Sequence, residues 1–143
     1  MKKSVTIQVN GKQRYQAGHE DQQELTTVGM FYERNGAFYV VYKESEETGL
    51  DEVTTFLSIK QGVVTLNRQG SVDLLQEFKK EVLNQSVYTT SCGQLYLSVM
   101  PHKVEYDLTG HGGRISLEYD LFVDDNLVSY NTLLVNIKED LPQ

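Results

Sequence analysis

Regular alternation of apolar and polar residues is the feature that most constrains the fold. From Ile115 to Val123 all five odd-numbered positions are apolar, and three of the four even-numbered positions are polar. Successive side chains of a β-strand point to opposite faces, so this pattern predicts a strand with one buried face. A helical repeat does not explain polar residues at every second position. The same alternation recurs near both ends of the chain, at Val5, Ile7 and Val9 and at Leu133, Val135 and Ile137.

Turn-forming residues separate the alternating runs. Asn10-Gly11 and Asn35-Gly36 predict hairpin turns, because both residue types tolerate the positive φ of a type I′ turn. Other turn signals are Gln61-Gly62, Cys92-Gly93, His111-Gly112-Gly113 and Asp124-Asp125-Asn126. Short strands at roughly ten-residue spacing predict a sandwich or a barrel. The strands are predicted near residues 4–9, 24–34, 37–44, 53–60, 63–68, 73–79, 83–90, 94–106, 114–123 and 127–138.

The segment from residue 71 to residue 82 has a different local pattern. Leu74, Phe78 and Val82 recur at i, i+4 and i+8, and Asp73 is a suitable helix cap with Gln76 three residues after it. Taken alone, this pattern favours a helix.

Length and charge bound the kind of protein this is. The 143 residues correspond to one domain, 1–143, which needs no disulfide or metal for stability. The formal charge of −7 disfavours nucleic acid and anionic membrane surfaces as partners. The single cysteine, Cys92, fits a reducing compartment, and no apolar run is long enough to span a bilayer. We therefore expect a soluble cytoplasmic protein, for which a homo-oligomer is compatible with the composition.

An ordered set of short motifs carries a family resemblance. The motifs are Tyr42-Lys43-Glu44, Thr48-Gly49-Leu50, Thr54-Thr55, Val64-Thr65-Leu66-Asn67-Arg68-Gln69-Gly70, Tyr88-Thr89-Thr90 with Gly93, and Gly113-Arg114-Ile115-Ser116-Leu117-Glu118-Tyr119. On these motifs the chain resembles the YwiB-like family of uncharacterised bacterial proteins, a domain of unknown function with a calycin-like (lipocalin-like) β-barrel. The resemblance covers nearly the whole chain.

This resemblance implies an all-β fold, a single antiparallel meander that closes into a calycin-like β-barrel of about eight to ten strands. It also implies two strands with a turn near Lys79 to Glu81 in place of the helix, and we adopt the strands because tertiary pairing often overrides local propensity. Pro101 departs from the family pattern and implies a strand edge or a bulge, since proline cannot donate to a ladder. The family brings no established activity.

The stretch YKESEETGLDE, residues 42–52, contains five carboxylates and one lysine. Its oxygen ligands lack the spacing of a calcium-binding loop, so we predict a strand end that leads into a solvated loop without a metal site. Glu44 is the exception, because it shares a strand face with Val40 and Tyr42 and is positioned to point inward.

Arg68 is also positioned to point inward, since Val64 and Leu66 precede it on its own face. A buried arginine must be paired, and Glu44 is a suitable bidentate partner. In the alternatives the two residues lie at an open rim in water, or form a purely structural clasp. The candidate ligand-binding group is Glu44, Arg68, Tyr88 and Tyr119, which would place one guanidinium and two phenols in an apolar lining.

No catalytic residue, cofactor or metal site is predicted. The histidines lack metal-ligand spacing, Cys92 has no histidine nearby in the sequence, and no serine lies in a G-x-S-x-G elbow. An enzyme is therefore not favoured. Two functions remain: a barrel that binds one small amphipathic or anionic molecule in its interior, or a filled barrel that acts as a protein-interaction or structural module through its surface or a strand edge.

Overall fold

The computed structural model describes residues 2–44 and 52–140. The strands in these ranges are β1 (Lys3–Tyr15), β2 (Glu20–Arg34), β3 (Ala37–Lys43), β4 (Val53–Lys60), β5 (Val63–Gly70), β6 (Leu74–Lys79), β7 (Asn84–Thr90), β8 (Gly93–Thr109), β9 (Gly112–Val123) and β10 (Asn126–Glu139). Within the two ranges, no helix is long and apolar enough to span a lipid bilayer.

All ten strands belong to one antiparallel sheet, in the order β6-β5-β4-β3-β2-β1-β10-β9-β8-β7. Each strand therefore pairs with its neighbour along the chain, except that β1 pairs with β10 and no continuous ladder joins β6 to β7. The sheet curls until β6 and β7 face one another, which gives a nearly closed barrel. The prediction of an all-β antiparallel meander that forms a barrel is confirmed.

The side chains of the inward faces form a single core. Period-two alternation places them there, as predicted for β9, where Ile115 and Leu117 are each 1% exposed. The largest fully buried side chains come from most of the strands: Val5, Ile7, Phe31, Val40, Val53, Ile59, Val64, Phe78, Val99, Ile115, Leu117 and Val135.

The first hairpin differs from the prediction. Asn10 and Gly11 lie inside β1, where they pair with Leu134 and Leu133 of β10, and β1 turns only after Tyr15. The prediction of a turn at Asn10-Gly11 was wrong because pairing along both edges of β1 outweighs the turn propensity of one dipeptide. At Asn35-Gly36 the prediction is confirmed, with φ of 52° and 78° at the two residues.

The segment with the helical pattern forms strand β6 and the turn that follows it, and strand β7 begins at Asn84. Leu74, Gln76 and Phe78 are buried, whereas Leu75 is 62% exposed, which is the alternation of a strand. The local preference for a helix was wrong, and the two strands implied by the family resemblance are correct. Pairing of all six β6 residues with β5 supplies backbone hydrogen bonds that override the helical periodicity.

Pro101 lies at a β-bulge, as predicted. The register between β8 and β9 shifts between Pro101 and Lys103. The shift changes which residues face inward, from Leu97 and Val99 before the bulge to Val104 and Tyr106 after it. The Pro101 carbonyl accepts a 2.8 Å hydrogen bond from the Glu81 amide.

Side chains close most of the seam between β6 and β7. One backbone bridge joins the two sides, where Asp73 and Thr89 exchange two 2.9 Å hydrogen bonds. Farther along, Gln76 Nε2 donates to Asn84 Oδ1 at 2.6 Å, and Ser86 Oγ donates to Gln76 Oε1 at 2.6 Å. Gln76 is 2% exposed, so this wall of the barrel interior is polar.

Candidate functional site

The barrel interior contains a cavity of about 320 Å³. This volume corresponds to about ten water molecules at roughly 30 Å³ each, and it lies at the lower end of the range for small-molecule pockets, roughly 300–1,000 Å³. Much of the wall is apolar, with contributions from Leu25, Leu66, Phe78, Leu97, Leu121 and Leu133. The interior is therefore not completely filled by side chains.

The four residues proposed from the sequence all line this cavity. Glu44 directly follows β3, Arg68 lies in β5, Tyr88 lies in β7 and Tyr119 lies in β9. They come from four separate parts of the chain and meet because each faces inward on its own strand. Their role in binding a ligand stays a prediction.

Glu44 and Arg68 form a loose ion pair. Arg68 Nε lies 3.8 Å from Glu44 Oε2, which suits a charge interaction but is too long for a hydrogen bond. The bidentate pair expected from the sequence is therefore not formed. Only 3% of the Glu44 side chain is exposed, and Thr55 Oγ1 donates a 2.5 Å hydrogen bond to Glu44 Oε2. Thr55 itself is completely buried.

The charges of this pair act on two buried phenols. Burial raises the pKa of Tyr42 well above its usual value, and the nearby Glu44 carboxylate raises it further, while Arg68 acts in the opposite direction. Burial also raises the pKa of Tyr119, an effect that the Arg68 guanidinium and the Asn131 amide partly offset. Both phenols therefore stay protonated at neutral pH and can donate hydrogen bonds.

Arg68 Nε is buried and has no hydrogen-bond partner among the residues that the structure describes. An unpaired buried donor costs about 1–3 kcal/mol relative to a paired one, and more when the group is charged. The cavity is where an acceptor for this donor could sit, since Arg68 lines it.

Asn131 was not singled out from the sequence, although it contributes a second unpaired donor. It lies in β10 opposite Tyr119, is 2% exposed and also lines the cavity. Ser129 Oγ donates to Asn131 Oδ1 at 3.0 Å, whereas Asn131 Nδ2 makes no hydrogen bond of good geometry in the described part of the chain, although it lies near enough to the Tyr119 phenol to lower the pKa of Tyr119. Extending the alternation of Leu133, Val135 and Ile137 backwards would have placed Asn131 on the inner face.

Two further polar residues were missed for related reasons. Thr55 occupies the inward position between Val53 and Leu57. Gln76 occupies the inward position between Leu74 and Phe78, but the helical pattern of that segment obscured the strand periodicity. Strict period-two counting identifies both positions, so the signal was present in the sequence.

The histidines and the cysteine do not line the cavity. His102 and His111 each contact a carboxylate at 2.7 Å, those of Asp120 and Glu139, and both histidines are exposed. Cys92 is exposed with a free thiol. Across residues 2–44 and 52–140, no group of three or more His, Cys, Asp or Glu side chains is placed to hold a metal ion. Most of the acidic stretch, residues 45–51, lies outside the described residues, so the prediction of a solvated loop without a metal site is untested there.

Comparison with known proteins places this barrel in a family. The family model described as "Domain of unknown function (DUF1934)" matches residues 7–135. The chain belongs to the DUF1934 family. A curated relative, the "Uncharacterized beta-barrel protein YwiB" of Bacillus subtilis (strain 168), is 31% identical over 108 residues, which covers 76% of this chain and 75% of the relative.

A solved structure shows the same fold as this DUF1934 barrel. The crystal structure of the YwiB protein from Bacillus subtilis superposes with a TM-score of 0.87 at 24% sequence identity. The match covers 98% of this chain and 94% of that chain. The resemblance inferred from the sequence motifs is confirmed, and the family description assigns no activity.

Proposed function

We propose that this DUF1934 barrel binds one small amphipathic molecule in its interior. The single observation that supports this proposal is the pairing of two buried hydrogen-bond donors that lack partners, Arg68 Nε and Asn131 Nδ2, with a largely apolar cavity. Binding pockets for small molecules typically combine an apolar lining with a few convergent polar groups. Oxygen acceptors of a ligand in the cavity would supply the missing partners.

The donors are arranged around one side chain. Asn131 faces Tyr119 across the β9–β10 ladder, and the Arg68 charge acts on the Tyr119 phenol. The ring of Phe78 packs edge-on against the Tyr119 ring at a centroid distance of 4.9 Å. In the proposed complex the polar end of the ligand lies near Tyr119 and its apolar end against the leucines of the cavity wall. A ligand held inside the barrel is the mode of binding expected of a calycin-like fold. The free Cys92 thiol is consistent with a cytoplasmic location.

Calorimetric titration with octanol, an uncharged amphiphile, tests the proposal. Native protein should bind one octanol, and Arg68→Met and Asn131→Leu should each lower the affinity about tenfold, the worth of one hydrogen bond. Arg114→Met is the matched control, because Arg114 is exposed and does not line the cavity. Its affinity should equal that of the native protein.

A structural clasp between Glu44 and Arg68 gives a different result. In that case Arg68→Met would lower the free energy of unfolding by several kcal/mol, because it leaves a buried carboxylate uncompensated. The substitution would then have no effect on octanol binding. Absence of saturable octanol binding, together with native mass spectra that show no co-purified small molecule, would contradict the carrier function.

A second candidate function rests on the outer surface. Val28, Met30 and Phe56 are 63%, 38% and 37% exposed, and Met30 and Phe56 lie in one cross-strand row on either side of Val41. We propose that this apolar row pairs with the same row of a second copy. Light scattering should then give the mass of a dimer for the native protein and of a monomer for Phe56→Glu; a native monomer would exclude this association.

A further inference from the structure

Among the residues that the structure describes, the cavity wall carries no net charge. Among the described residues, its charged side chains are Lys12, Asp21, Glu44 and Arg68, two of each sign. Lys12 and Asp21 are exposed, whereas Glu44 is buried beside Arg68. The charge of Arg68 is therefore already balanced before any ligand enters.

The balancing carboxylate is held in place. Thr55 Oγ1 donates to Glu44 Oε2 at 2.5 Å, and Thr55 belongs to strand β4, where it pairs with both Tyr42 and Arg68 across the sheet. The 3% exposure of the Glu44 side chain leaves it little room to swing toward solvent. Glu44 thus remains beside the guanidinium when a ligand binds.

This arrangement discriminates against anions. A ligand carboxylate at Arg68 Nε would lie close to the Glu44 carboxylate, and two like charges in a poorly solvated site repel strongly. The protein's formal charge of −7 also disfavours the approach of an anion. A carbonyl or ester oxygen can accept from Arg68 Nε and Asn131 Nδ2 without adding charge.

We propose that the ligand is an uncharged amphiphile with an oxygen acceptor, such as an ester, ketone or amide, and that Glu44 is the residue that excludes carboxylates. This inference rests on the proposed function, since it specifies the ligand class of the same cavity. It narrows the class expected from the sequence, small amphipathic or anionic molecules, to the uncharged members.

Methyl heptanoate and octanoate test the inference, because methyl heptanoate is an isomer of octanoic acid and only the acid ionises. Calorimetric titration near neutral pH, where octanoate is ionised, should show that native protein binds the ester at least about tenfold more tightly than octanoate. Glu44→Gln retains the shape of the side chain and removes its charge, so octanoate should then bind at least as tightly as the ester. Glu33→Gln, at an exposed position of β2, should leave the native preference unchanged.

The possible failures are distinguishable. If neither octanol nor methyl heptanoate binds, the proposed function itself fails. If octanol binds but the native preference for the ester is less than about tenfold, or Glu44→Gln does not change that preference, only the inference about charge is overturned.

Discussion

Replacing Phe78 by alanine is expected to lower the free energy of unfolding by about 3–5 kcal/mol, the usual cost of truncating a large core aromatic residue. Phe78 is 2% exposed, points inward from β6 and packs edge-on against Tyr119. Truncation removes apolar contacts and enlarges the existing cavity, because Phe78 forms part of its wall. Urea denaturation followed by far-ultraviolet circular dichroism measures the loss.

Leu75→Ala and Val82→Ala are the matched controls for Phe78→Ala. Leu75 lies on the opposite face of β6 and is 62% exposed, and Val82 follows β6 and is 45% exposed. Each substitution should change stability by less than about 0.5 kcal/mol. A helix would instead place Leu74, Phe78 and Val82 on one buried face, so a comparable loss for Val82→Ala would contradict the strand assignment.

Replacing Gly113 by alanine is the second change with a large expected effect, a loss of about 3 kcal/mol or more. Gly113 has a φ of 141°, and an added methyl group would lie 1.9 Å from the Asp107 carbonyl oxygen. That oxygen belongs to the paired strand β8, so relief of the clash requires displacement of the β8–β9 ladder. Thermal unfolding and urea denaturation both measure the destabilisation.

Gly110 provides the control within the same hairpin. Nothing lies within 4 Å of an added methyl group at this position, and its φ is outside the left-handed region. The free energy of unfolding of Gly110→Ala should therefore lie within about 0.5 kcal/mol of that of the native protein. Similar stability of the Gly113 and Gly110 variants would show that the ladder can move aside, and would contradict close backbone packing at Gly113.

Much of the fold follows from local sequence patterns. Alternation identified β9 and the buried face of β10, and Asn35-Gly36 marked a hairpin turn whose positive φ values are observed. Local patterns failed where pairing outweighed them, at Asn10-Gly11 inside β1 and in the helix-like segment that became β6. Asn10-Gly11 pairs with β10 near the other end of the chain, and β6 pairs along its whole length with the preceding strand β5. The local pattern of neither segment contains that information.

Part of the candidate site could likewise be predicted from the sequence, and part could not. Inward orientation of Glu44, Arg68, Tyr88 and Tyr119 could be predicted, because the side-chain direction in a strand depends only on the count along that strand. Counting also reaches Asn131, once the β10 alternation is extended. It does not show that Glu44 and Arg68 are 3.8 Å apart, or that the nitrogens Arg68 Nε and Asn131 Nδ2 lack partners.

The sequence by itself therefore determined most of the strands and the inner face of several of them, since these depend on periodicity and turn chemistry along the chain. Only the tertiary structure decided that β1 pairs with β10, that side chains close the β6–β7 seam, and that a 320 Å³ cavity remains inside. The cavity volume is the difference between the space that ten curved strands enclose and the volume of the side chains that enter it. That difference depends on how all the strands pack together, and no single segment specifies it.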